Sequence, residues 1–338
     1  MKTLLLILSA FAFNALCAQN LDSAQFYFQK GMVEKNAKRF LTASQYFDKS
    51  ISFDASNTEV LLEDAFTYKE MRKIDQARAL FLKVYQINPT DKIVVNELMK
   101  IYFNYKQYAK ALDFAKKCND CQNVYKISGI SYYQQEDYPA AEIALKKALA
   151  ISMTDAETVY TLARTYVDME EYNKAIPYYD LAVHFKEAKP LWMYEQGILL
   201  YNMSDYSGAM NSFVEAANHG YTRSNDFNEN LGFACLYSGE YEQGEKLIME
   251  IWIRKPGNKD LLRSLAEVLY QQHQYDKALV YCQKMLELDA SDGKALYQAG
   301  LCFMKKGQKD KGQQMCDKAI VMDSSLESLR RKKDITSL

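Results

Sequence analysis

The sequence predicts an all-α chain: a solenoid of about nine helix-turn-helix pairs, closed by a C-terminal capping helix. Three observations lead there. Turn formers are few, with 13 Gly and 5 Pro in 338 residues, which favours helices over turn-rich sheet folds. Two series of small residues recur at one fixed period. Turn and capping residues fall where those series require helices to stop.

Composition narrows the function classes. Hydrophobic residues are 49% and charged residues 25%, as in folded proteins and unlike disordered ones. The 42 Lys+Arg and 43 Asp+Glu leave a net charge of −1, so no global field draws nucleic acid or anionic lipid. Three His leave little room for His-based catalysis or a His-rich metal site.

The first element is a leader. Lys2 supplies a positive start, Leu4 to Phe13 an apolar run, and Ala15-Leu16-Cys17-Ala18 a small-residue end. That is the layout of a secretory signal peptide over residues 1–18, with cleavage after Ala18. The run is shorter than the roughly 18 apolar residues of a membrane span. The segment resembles secretory leaders of Bacteroidetes bacteria, which implies export across the inner membrane to the periplasm or the outer membrane. Leu16 stands where a lipobox wants a small residue, which argues against lipidation of Cys17. No later segment approaches a transmembrane span.

Nine repeats follow. One small-residue series runs Gly31, Ala65, Met99, Gly129, Ala163, Gly197, Gly232, Ala266, Gly300, with steps of 34, 34, 30, 34, 34, 35, 34 and 34. A second runs Ala43, Ala77, Ala111, Ala141, Ala175, Ala209, Gly244, Ala278, Gly312 with the same steps. A third series, mostly large, follows four residues on, from Phe47 and Phe81 through Tyr179 and Phe213. The units are 24–57, 58–91, 92–121, 122–155, 156–189, 190–223, 225–258, 259–292 and 293–326. Each reads as two amphipathic helices whose backbones meet at the small residues. Asn57, Asp91 and Asp292 offer side-chain oxygens to the next helix. Pro139 and Pro190 sit at helix starts, where a missing N–H costs nothing. Neighbouring pairs must stack, because one pair alone cannot bury its apolar face.

These residues resemble the tetratricopeptide repeat (TPR) family. Its pattern has a large residue at position 4, Leu-Gly at 7 and 8, Tyr at 11, Ala at 20, Phe at 24, Ala at 27 and Pro at 32. Leu231-Gly232 and Leu162-Ala163 fit the seven–eight pair, and Pro89 and Pro256 close two units. The resemblance implies a right-handed superhelix over nearly all of residues 19–326.

Two units are irregular. The third is four residues short and ends in Cys118-Asn119-Asp120-Cys121. The junction from the sixth to the seventh is one residue longer and polar, Asn218 to Asn225. The last element, residues 327–338, reads as a polar cap with a helix from Glu327 to Asp334.

Chemistry is sparse. No phosphate loop, G-x-S-x-G or H-E-x-x-H occurs, and His184, His219 and His273 lie in separate repeats. We expect no enzyme activity and no cofactor. Cys118 and Cys121 read as a structural disulfide stapling the shortened turn. A redox dithiol and half a metal site are the alternatives. The pair ends a helix, where the dipole does not lower a thiol pKa, and a zinc site needs two more ligands. Cys235, Cys282, Cys302 and Cys316 read as buried small hydrophobes.

The resemblance implies a concave groove lined by positions 2, 5, 9, 12 and 13 of each first helix. Carried over, these are Phe103 and Asn104; Asn123, Lys126, Ile130, Tyr133 and Gln134; Tyr160, Arg164 and Asp168; and Tyr194, Ile198, Tyr201 and Asn202. Tyr rings, amides and two cations suit an extended peptide. The carboxylate clamp of chaperone-tail-binding TPRs is not reproduced. The expected function is an exported scaffold for a protein or peptide partner. A substrate-holding chaperone is the runner-up, and a thiol-disulfide protein using Cys118 and Cys121 a third reading. The oligomeric state is not legible.

Overall fold

A computed structural model describes residues 21–118 and 120–328. The expected leader, residues 1–18, and most of the expected cap, from residue 329 on, lie outside the described residues. The fold is helical throughout, with no strand among the described residues.

The helices are α1 (21–36), α2 (Phe40–Phe53), α3 (Thr58–Glu70), α4 (Ile74–Ile87), α5 (Lys92–Asn104), α6 (Tyr108–Ala115), α7 (Val124–Tyr133), α8 (Tyr138–Ile151) and α9 (Ala156–Asp168). They continue as α10 (Tyr172–Val183), α11 (Pro190–Asn202), α12 (Tyr206–Asn218), α13 (Asn225–Ser238), α14 (Tyr241–Arg254), α15 (Lys259–Gln271), α16 (Tyr275–Leu288), α17 (Gly293–Lys305) and α18 (Lys309–Met322). A 3-10 turn, Ser324–Leu326, follows. The chain divides after Met169 into two units, α1–α9 and α10–α18. In each unit consecutive helices form antiparallel hairpins, such as α3 with α4, α7 with α8, α11 with α12 and α17 with α18. First helices also touch the next first helix, α5 with α7 and α7 with α9 in the first unit, α13 with α15 and α15 with α17 in the second.

The small-residue series has a more specific basis than backbone approach alone. A Cβ on Gly31 would lie 2.4 Å from the Phe47 ring, on Gly129 2.6 Å from Leu145, on Gly197 2.6 Å from Phe213, and on Gly232 2.9 Å from Ile248. So position 8 is the socket for position 24 of the same hairpin. The third repeat inverts the pair: Met99 and Ala115 occupy these positions, both buried in one cluster. Volume is conserved while its side is exchanged, as close packing requires.

Helix ends follow local rules. Asn57, Asp91, Asp155, Ser224, Asn258 and Asp292 cap first helices by accepting from backbone N–H groups. Within hairpins the turn residue is left-handed at Lys38, Arg72, Lys106, Glu136, Ser204, Gly239, His273 and Gly307. The next N–H reaches five residues back, as Gln107 N to Tyr102 O at 2.8 Å, which is the Schellman arrangement. Only two of the eight are Gly. A left-handed non-Gly residue costs roughly 1–2 kcal/mol, partly offset by the greater flexibility of Gly in the unfolded chain. Glu136→Gly is therefore expected to stabilise by about 0.5 kcal/mol or more, raising Tm by about 1–3 °C. A lower Tm in a thermal melt would contradict that left-handed turn.

The short third repeat shortens one helix. α6 has 8 residues, against 14 in both α4 and α8. Cys118 and Cys121 are joined by a disulfide in the segment that follows it.

Candidate functional site

In the first unit the expected groove residues fall on α5, α7 and α9. Phe103 is half-buried and packs edge-on against Tyr108, ring centroids 6.1 Å apart. Asn104 is exposed at the end of α5. Ile130 is buried, and Asn123 is a left-handed residue before α7. Gln134 is exposed just after it.

Lys126 is not a free cation. Its Nζ lies 2.8 Å from Asp155 and 3.0 Å from Glu157. Burial opposes its charge, yet the two carboxylates outweigh burial and hold its pKa above the ordinary lysine value. Lys126 thus clamps α7 to the start of α9.

One turn along, α7 and α9 bring four groups together. The Arg164 guanidinium lies over the Tyr133 ring at 5.4 Å and the Tyr160 ring at 5.9 Å. Such cation–π contacts are worth roughly 0.5–2 kcal/mol as water is excluded. The Tyr133 hydroxyl donates to Asp168 at 2.8 Å. Burial first, and then the Asp168 carboxylate, push the Tyr133 phenol well above its ordinary pKa, while Arg164 pulls the other way. Tyr133 therefore stays a neutral donor. Tyr138 packs beside it, 5.9 Å between centroids. Rings, a delocalised cation and a carboxylate thus share one half-buried surface, built from residues four apart on α9 and a single ring of α7.

In the second unit the expected residues serve packing. Tyr194 stacks on Tyr221 at 4.5 Å and on Phe227 at 5.7 Å, and meets Phe213 at 5.5 Å. Its hydroxyl accepts from the Asn230 amide at 2.9 Å. Its ring is thus bound up in joining α11 to α12 and α13. Ile198 lies against the same core, and Asn202 is exposed. Tyr201 is held edge-on by Tyr206 at 5.3 Å and Tyr237 at 6.1 Å, with those two stacked at 4.4 Å. Burial, then the neighbouring phenols, push Tyr201 up to about 12. The expected residues therefore fall in two groups, one on each unit.

Residues 24–57 and 156–188 match the tetratricopeptide repeat family. Among curated relatives, a TPR repeat-containing protein of Methanocaldococcus jannaschii is 22% identical over 89% of this chain and 52% of its own length. The BBSome complex member BBS4 of Bos taurus is 22% identical over 79% of this chain and 49% of its own. The chain spans about half the length of these two relatives. Among solved structures, the C-terminal part of a TPR repeat-containing protein from Cytophaga hutchinsonii superposes with a TM-score of 0.52. It is 17% identical over 70% of this chain and 99% of that one, a likeness of fold.

TPR proteins generally act as scaffolds for protein interaction. Among the described residues no group of three or more His, Cys, Asp or Glu is placed to hold a metal ion. No described helix is long and apolar enough to cross a membrane. Cys235, Cys282, Cys302 and Cys316 are buried and lie outside the disulfide. Burial pushes the thiols of Cys235 and Cys302 up to about 11 and that of Cys282 to about 12, so these three are poor nucleophiles near neutral pH.

Position-by-position reading of the TPR pattern missed the charge pairs. Lys35 meets Glu63 and Lys69 meets Glu97, each 28 residues on. Lys126 meets Asp155 and Arg263 meets Asp292, each 29 residues on. Opposite charges at that spacing were visible in the sequence. Their recurrence was the signal that Lys126 belongs to an inter-repeat clamp.

Proposed function

We propose that the chain is an exported scaffold that binds a protein or an extended peptide across the first helices of its repeats, in the periplasm or at the outer membrane. The observation that supports this most is the Tyr133–Arg164–Tyr160 cluster beside Asp168. Ring faces give rigid contact area at low entropic cost. Arg164 brings a planar fork suited to a carboxylate of an extended segment. Asp168 offers an acceptor one turn further on. The leader over residues 1–18 is the support for export.

Arg164→Glu tests the reading. Partner capture from envelope extract is expected to fall at least about tenfold, while helicity stays unchanged and Tm moves by no more than a few degrees. Full retention of the partner would defeat the site. Weak capture of many unfolded chains by the wild type, in no fixed ratio, would replace the scaffold with a holding chaperone. Fractionation of cells expressing the chain with and without residues 1–18 tests export, which cytosolic retention of the full chain would exclude.

A further inference from the structure

We propose that the cleft beside α6 is a second binding site, on the second-helix side of the first unit, for an acidic amphipathic helix of a partner protein. The cleft lies between α6, α7 and α8 and has a volume of about 280 Å³. Its floor is apolar, made by Ala115, Tyr125, Tyr132 and Ile143. One wall is the face of α8 that carries Ala140, Ile143, Ala144 and Lys147, a stripe two helical turns long of the kind a second helix packs against. Ile143 on that stripe is 59% exposed. The cleft is below the roughly 300–1,000 Å³ of small-molecule pockets, so it seats one or two side chains of a docked element.

Charge selects the occupant. Among the described residues, the charged ones lining the cleft are Lys116 and Lys147, both exposed. Lys147 Nζ stands over the Tyr125 ring at 5.6 Å, at the mouth. Lys117 lies just beyond, donating to the Tyr85 hydroxyl at 2.6 Å. An apolar floor under a cationic rim fits a helix with apolar anchors four residues apart, flanked by Glu or Asp. The disulfide between Cys118 and Cys121 holds the chain that borders the gap.

The test uses the full chain and a fluorescein-labelled synthetic peptide of about four helical turns. The peptide carries Leu at i, i+4 and i+7 and Glu beside them. A control peptide has every Glu replaced by Lys. Fluorescence anisotropy is expected to show saturable binding of the acidic peptide, with the basic one at least about tenfold weaker. Ile143→Glu and the Lys116→Glu/Lys147→Glu double variant should each reduce acidic-peptide binding at least about tenfold. Circular dichroism serves as the folding control, and Ile143→Ser is a second variant should Ile143→Glu misfold. Arg164→Glu should leave this binding unchanged, which separates it from the groove. A peptide carrying a photo-crosslinking Leu should label Tyr125 or Ile143. Equal binding of the two peptides, absence of binding, indifference to the variants, or labelling elsewhere would each overturn the proposal. So would a dimer that Ile143→Glu dissolves in sedimentation, since the occupant would then be a second copy.

Discussion

Gly197→Met is expected to lower the melting temperature by about 5 °C or more, and Phe213→Ala in the same chain is expected to return a large part of that loss. A Cβ at Gly197 would stand 2.6 Å from two Phe213 ring carbons, closer than real Cβ contacts, so the hairpin α11–α12 must open. Overpacking of this kind costs about 1–3 kcal/mol and occasionally more. In a repeat array that penalty falls on one pair and its neighbours, at roughly 2–4 °C per kcal/mol. Rescue follows from the third repeat, where Met99 and Ala115 already hold the large residue at position 8 and the small one at 24. The double variant copies that arrangement. A double-mutant cycle on thermal or urea unfolding reads the coupling, expected at about 1 kcal/mol or more in favour of the pair. Additive losses would mean that positions 8 and 24 are not a socket and its plug.

Such pairs explain why so much of the fold was legible. The period appears in the sequence because each hairpin solves one steric problem with the same residues. Gly31, Gly129, Gly197 and Gly232 are small because a large side chain lies against each of them. Helix caps such as Asn57 and Asp91 were readable for a similar reason, since each acts on backbone within three residues. The binding face was less legible. Groove positions state which way a side chain leaves its helix, but not whether a neighbour takes it up. Lys126 is taken up by Asp155 and Glu157, and Tyr194 by Tyr221, Phe213 and Phe227. Arg164 meets the Tyr133 and Tyr160 rings. Several of these outcomes depend on partners in the next repeat, such as Asp155 for Lys126, Phe227 for Tyr194 and Arg164 for Tyr133, which a single-repeat pattern does not contain. The four-residue deletion was visible and appears as the shortened α6, but the cleft beside it was not. Its apolar floor and cationic rim emerge only when α7 and α8 are set beside the shortened helix.

Asp64 carries the second large effect, and it also marks where the repeat pattern is broken. Position 7 holds Leu98, Leu162, Leu231 and Leu265 in other repeats, all buried. In the second it holds Asp64, 0% exposed within α3. Neither of its oxygens has full hydrogen-bond geometry among the described residues. Burial raises its pKa to about 7, helped by the Asp48 carboxylate and only partly offset by the nearby Ser44 hydroxyl and Lys35. An unfolded chain would return it to the ordinary aspartate value of 3.8. Between about pH 4 and pH 7 the folded protein thus keeps a proton that the unfolded chain releases. Stability from this group is therefore full below pH 4, falls as pH rises toward 7, and levels off above it. A shift of about three pH units at about 1.36 kcal/mol each sets a ceiling near 4 kcal/mol, and relaxation around the carboxylate should leave about 2. Asp64→Asn should remove that slope, so that its gain over the wild type grows from near zero below about pH 4 to about 2 kcal/mol at pH 8. Asp64→Leu, which restores the repeat pattern, should add apolar burial and stabilise at both pH values. Urea unfolding of the three proteins across pH 4 to 8 reads the difference directly. Parallel profiles for wild type and Asp64→Asn would mean that the carboxylate is ionised and solvated in the folded state.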